Sequence, residues 1–203
     1  MASLYLSFLL SASFLQLPAA HNPKLPLRFS PDWTTGLVVL ETGDTVVCTL
    51  RYNQMVPEGL LQVREGETIL TLSVRDIKCF LFYDAKKKRY RKFFTLSVPI
   101  DDGPTRETFL EYVYGNEGVS ILNHKTMGLA HDYLGYTPFK QPIPINKQYL
   151  LDGRTGKIMP ISEENAISLI DQKQAVKGFI ESNDIRFRKT SDYVKVFEYA
   201  RSL

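Results

Sequence analysis

Gly36-Leu-Val-Val-Leu-Glu-Thr-Gly43-Asp44-Thr-Val-Val-Cys48-Thr-Leu-Arg-Tyr52 decides how the rest of the chain is read. Two runs dense in β-branched and aliphatic residues flank Thr42-Gly43-Asp44, where glycine supplies the backbone freedom that a tight hairpin loop needs. The pattern repeats downstream. After the breaker Met55-Val56-Pro57-Glu58-Gly59, Leu60–Arg64 and Glu67–Val74 flank Glu65-Gly66. Ile77–Asp84 and Tyr90–Val98 then flank the basic tip Ala85-Lys86-Lys87-Lys88-Arg89. Six short strands in about 60 residues predict an antiparallel sheet that curls into a barrel or small sandwich.

Outward from this block, Pro99-Ile-Asp101-Asp102-Gly103-Pro104 reads as a loop. Thr108–His124 reads as two more strands around Gly115-Asn-Glu-Gly118, since its β-branched and aromatic density outweighs a helix. Residues 127–148, rich in Pro, Gly and Tyr, are expected to form an irregular connector lying across the sheet. Lys147–Ser162 predicts a last hairpin turning at Asp152-Gly-Arg-Thr-Gly-Lys157. The period then shifts to about 3.6, giving three short helices that start near Ser162, Asp171 and Ser191. The expected class is α+β, mainly β: a curled antiparallel sheet, then a C-terminal hairpin and about three short helices. Its organisation is a β-rich domain over 21–126, the connector 127–148, and a hairpin with helices over 149–203 packed on the same core.

At the other end, Leu4, Tyr5, Leu6, Phe8, Leu9, Leu10, Phe14, Leu15 and Leu17 form an uncharged apolar run that closes on Ala19 and Ala20. That is the shape of a signal peptide over residues 1–20, and it predicts a protein exported to the periplasm, the cell envelope or the medium. The alternative is a buried N-terminal helix. The run is too short for a comfortable membrane span of roughly 20 residues, and no later stretch approaches that length. No cysteine stands just after it, so the usual lipid-anchoring chemistry of a bacterial lipoprotein is not expected.

A net charge of +3 is too small to indicate a nucleic-acid partner, while 44% apolar and 12% aromatic content argue for an ordered core. The two cysteines, Cys48 and Cys79, lie in strand-like segments, and simple alternation lets both point inward. In an oxidising compartment they are candidates for a disulfide; the other reading is two inert buried thiols. The densest charge signal is Lys86, Lys87, Lys88, Arg89, Arg91 and Lys92, with Tyr90 among them. Such a cluster suits contact with phosphate, anionic lipid headgroups or an acidic polymer, against the plainer reading of a solvated hairpin tip that protects a sheet edge.

Other constellations carry less. His124 and His131, with Asp132, match no zinc-site spacing, and His21 would lie at the mature N-terminus. Ser120 has no nucleophile-elbow context, and the Asp152–Lys157 turn lacks the spacing of a phosphate loop. Asp101 and Asp102 are adjacent residues between prolines, better suited to shaping a turn than to acid–base work. Trp33 is expected to plug the core beside the first strand. No catalytic, metal or cofactor signature emerges, so the expected function is a non-enzymatic envelope or secreted module binding an envelope protein or an anionic polymer. The alternative is a hydrolase using Asp101, Asp102 or Asp132 with His124 or His131.

The segments Gly36–Val46, Asp76-Ile-Lys-Cys-Phe80 and Phe109-Leu-Glu111 before Gly115 resemble a family of exported proteins of unknown function common in Bacteroidota. In that family a hairpin reading roughly G-x-I/V-x-L-x-x-G-D-T opens the mature domain, a D-I-K/x-S/x-F phrase follows, and a strand with F-L-E or F-F-E precedes a glycine turn. Tyr149–Gly153, Phe179-Ile180 and Tyr193–Tyr199 fit its helical tail. The resemblance implies an envelope location and no particular chemistry.

Overall fold

A computed structural model describes residues 33–52, 59–99, 104–116, 118–129 and 142–203. The leader, Asp101, Asp102, His131 and Asp132 therefore lie outside the described residues. The strands are β1 (Thr34–Leu40), β2 (Thr45–Arg51), β3 (Leu60–Glu65), β4 (Thr68–Ser73), β5 (Ile77–Asp84), β6 (Arg89–Pro99), β7 (Thr105–Gly115), β8 (Val119–Leu129), β9 (Pro142–Asp152) and β10 (Ile158–Pro160). They form one antiparallel sheet in the order β10-β9-β8-β7-β6-β5-β1-β2-β3-β4. Three helices follow: α1 (Glu163–Ser168), α2 (Lys173–Ser182) and α3 (Thr190–Ser202). The class is α+β and mainly β, with a curled, unclosed sheet.

The hairpin glycines do what their positions require. Gly43 and Gly66 take φ of +95° and +57°, values at which a side chain would be strained. Ser162 caps α1 by accepting from the Asn165 N–H at 3.1 Å. Strands β8 and β9 reach further than expected: they pair from Val119↔Asp152 to Leu129↔Pro142, so the expected connector gives up both its ends to the sheet.

The sheet has two faces that differ in what covers them. One, the helix face, carries Val119, Ile121 and Leu150 against Ala166, Val176, Val196 and Phe197 of the three helices. On the same face at the other end, Val38, Leu50, Phe80, Phe93 and Phe109 gather with Leu61 and Val63. Tyr52, just past β2, sits edge-on to Phe109 of β7 with centroids 5.8 Å apart. Four strand spacings of about 4.8 Å would separate these positions by roughly 19 Å in a flat sheet. The sheet therefore curls over its helix face across β1–β7. On the back face, Val98, Leu110, Leu122 and Tyr149 pack with Leu151 and Ile158, and β10 returns against β6. From β6 to β10 the curl runs the other way. No helix among the described residues is long and apolar enough to cross a membrane.

This curvature settles the cysteines. Strands β2 and β5 flank β1 on its two sides, with Cys48 opposite Gly36 and Cys79 opposite Val39. Gly36 and Val39 are three residues apart, so their partners face opposite sides of the sheet. A register shift at Val39/Leu40 turns Ile77 inward with Phe80 and Phe82, and sends Cys79 and Leu81 to the back face. Two strand spacings already exceed the reach of about 7 Å between bridged Cα atoms. The candidate disulfide does not form, and both thiols are free. Burial pushes both up in pKa, with Lys92 partly opposing this at Cys79. Thiol titration of the denatured, non-reduced protein should find both cysteines reactive; neither reacting would contradict this register.

Candidate functional site

The basic cluster sits on the β5–β6 hairpin, and strand alternation divides it. The register pairs Asp84↔Arg89, Tyr83↔Tyr90, Phe82↔Arg91 and Leu81↔Lys92. Arg89 and Arg91 therefore project to the helix face, and Tyr90 and Lys92 to the back. Asp84 Oδ1 accepts the Lys87 N–H at 3.0 Å, and Lys88 adopts φ +51° to close the loop. These two features hold Lys86, Lys87 and Lys88 exposed at the tip.

Arg91 does not belong to the outer surface. It is only 8% exposed, and its guanidinium lies 4.9 Å from the Phe93 ring centroid and 5.7 Å from that of Phe82. Its Nε donates to Glu111 Oε1 and its Nη2 to Oε2, both at 2.8 Å, a two-point fork matched to the carboxylate. Arg89 Nη2 donates to the same Oε1 at 2.8 Å, and Arg91 Nη1 approaches Asp84 Oδ2 at 3.5 Å. Glu111 is 1% exposed. Burial alone would raise its pKa, but the hydrogen bonds and charge of Arg91, with Lys87 and Arg89 nearby, outweigh that and hold it below the ordinary glutamate range. Asp84 is held low in the same sense: burial opposes, and the Lys87 N–H and the Arg91 charge prevail.

The expectation of six anion-contacting cations is thus corrected at Arg91, whose charge is committed inside the fold. Arg89 is shared, with its side chain 44% exposed while one nitrogen holds Glu111. Lys92 lies over the Phe94 ring at 4.6 Å on the back face, and Lys86, Lys87 and Lys88 stay at the tip. Tyr83 and Tyr90 form an edge-to-face pair at 5.3 Å, and Tyr90 is 71% exposed. Sequence reading missed Glu111 and Asn123. Both were detectable as polar residues on the inward phase of apolar strands: Glu111 lies two residues from Phe109, and the register sets Asn123 opposite it. Asn123 is 7% exposed, and its buried Oδ1 has no hydrogen-bond partner.

The remaining candidates fall elsewhere. His124 is buried on the back face with Nε2 3.3 Å from Thr108 Oγ1, the side opposite to Glu111. Among the described residues no group of three or more His, Cys, Asp or Glu side chains could hold a metal ion. The Asp152–Lys157 segment is a turn, with Asp152 accepting from the Arg154 N–H and the Thr155 hydroxyl. Trp33 is not a core plug: it is half-buried and faces the guanidiniums of Arg51 and Arg64 at 4.6 and 4.3 Å.

Glu111→Gln leaves the buried Arg91 without a counter-charge and should lower stability at neutral pH by about 3–5 kcal/mol. The folded-state pKa of Glu111 is depressed, so its contribution is complete above the usual value of 4.5 and fades as pH falls through the folded pKa. The stability gap between wild type and Glu111→Gln should therefore narrow below pH 4.5 in urea titrations; a constant gap would refute the assignment.

No family model, curated protein or solved structure matches this chain.

Proposed function

We propose that the chain is an exported, non-enzymatic binding module that engages an acidic polysaccharide through the β5–β6 hairpin. The observation that carries this reading is the exposed Tyr83–Tyr90 pair beside Lys86, Lys88 and Lys92 on a hairpin whose base is clamped by a buried ion pair. Aromatic rings offer a flat apolar surface to the face of a sugar, and the ammonium groups supply the complementary charge. A tip braced from within loses little conformational freedom on binding, which favours affinity.

An anionic bilayer fits the same charges less well. Residues 84–89 contain no large apolar side chain to enter the acyl region, so only headgroup attraction and the interfacial Tyr83–Tyr90 pair would remain. Export is supported by the leader, whose uncharged apolar run ends in Ala19-Ala20, and by the resemblance to exported Bacteroidota proteins.

Lys86→Glu with Lys88→Glu should weaken binding to immobilised heparin or alginate by about ten-fold at low salt, with the thermal midpoint nearly unchanged, because both side chains are exposed. Tyr90→Ala should weaken it several-fold with little change in salt dependence. Undiminished binding by the charge-reversed variant would exclude this surface.

A further inference from the structure

On the opposite side of the same hairpin, we infer a discrete oxyanion site formed by Lys87, Arg89 and Lys125 above the Arg91–Glu111 pair, able to take a sulfate, phosphate or carboxylate group. The inference goes beyond the polysaccharide reading and does not depend on it, since Tyr83 and Tyr90 lie on the back face and Arg89 and Lys125 on the helix face.

Register places the groups together. Glu111 of β7 pairs with Asn123 of β8, and Lys125 follows two residues on, on the same face. Four cations, Lys87, Arg89, Arg91 and Lys125, meet two carboxylates, Glu111 and Asp84. Both oxygens of Glu111 are occupied by Arg91 and Arg89, and those of Asp84 face the Lys87 N–H and Arg91 Nη1. Among the described residues neither carboxylate pairs directly with the ammonium group of Lys87 or Lys125. Among the described residues, Lys125 is half-buried and has no carboxylate partner. Lys87 reports the resulting excess of positive charge: burial, then Arg91, Lys125 and Arg89, depress its pKa, and Glu111 only partly offsets them.

Asn123 lies opposite Glu111 in the register and two residues before Lys125; it is more than nine-tenths buried, and its Oδ1 is sealed and has no partner, so it lies under the cations and does not itself contact the ion. A bound anion would restore charge balance among the groups above it. Sulfate esters, phosphate esters and uronic-acid carboxylates share this chemistry.

The test is an amide-shift NMR titration of the full mature chain with sodium sulfate, phosphate or acetate, at ionic strength held constant with sodium chloride. Saturable shifts centred on Glu111, Asn123 and Lys125, with a Kd of about 1 mM or tighter for at least one anion, support the site. Lys125→Met and Lys87→Met should each weaken that Kd about five-fold or more, while Lys86→Glu/Lys88→Glu should leave saturation in place. The tightest of the three anions names the acid group recognised. Shifts that never saturate, that spread over the surface, or that persist unchanged in both methionine variants would overturn the inference, whatever the polysaccharide measurement gives.

Discussion

The fork between Arg91 and Glu111 is the interaction on which the rest of this architecture turns. It lies on the helix face where the sheet passes from curling around the aromatic cluster of β1–β7 to curling the opposite way around the core of β6–β10. A charge taken out of water there is costly, and two charges are tolerated only because their geometry matches and their remaining capacity is filled. Arg89 and Asp84 fill it. Phe82 and Phe93 hold the guanidinium plane from the apolar side.

The same pair connects the interior to the surface. Because Asp84 and Arg89 close the hairpin and also contact the buried network, the position of the tip is set by what happens at Glu111. The exposed lysines and the tyrosine pair are thus presented by a braced element and not by a swinging loop. Alternation then sends Tyr83, Tyr90 and Lys92 to one face and Arg89 and Arg91 to the other, giving one hairpin two chemically distinct sides. The helices add a second anchor: Glu198 of α3 accepts a hydrogen bond from the Tyr114 hydroxyl at 2.7 Å, and burial, aided by that hydrogen bond and the Glu198 charge, pushes the phenol up to about 12.

Much of the fold was legible because its signals are local. Gly43, Gly66 and the Asp152–Lys157 turn each fix a hairpin with a few residues, and Ser162 with Glu163 and Glu164 starts the first helix as a cap followed by acids should. What was not legible depends on register. One irregularity between Val39 and Leu40 reverses the face of Cys79, and no composition of the segment announces it. Strand β9 begins at Pro142 inside a stretch whose prolines argue against pairing; their cross-strand partners, Leu129 and Met127, stand at the other end of that same stretch. The basic cluster read as a single patch because charge was counted along the chain, whereas alternation assigns Arg91 inward. Its partner Glu111 lies twenty residues away and becomes visible only once β6 and β7 are paired.

A double-mutant cycle on Arg91→Met and Glu111→Leu, measured by urea unfolding at neutral pH, tests the central claim most directly. If the fork organises the junction, each single change costs several kcal/mol by stranding a buried charge, while the double variant costs far less than the sum and regains much of the lost stability. Additive effects, or single variants as stable as wild type, would mean that the two side chains do not depend on each other and that the junction is held by the apolar clusters alone.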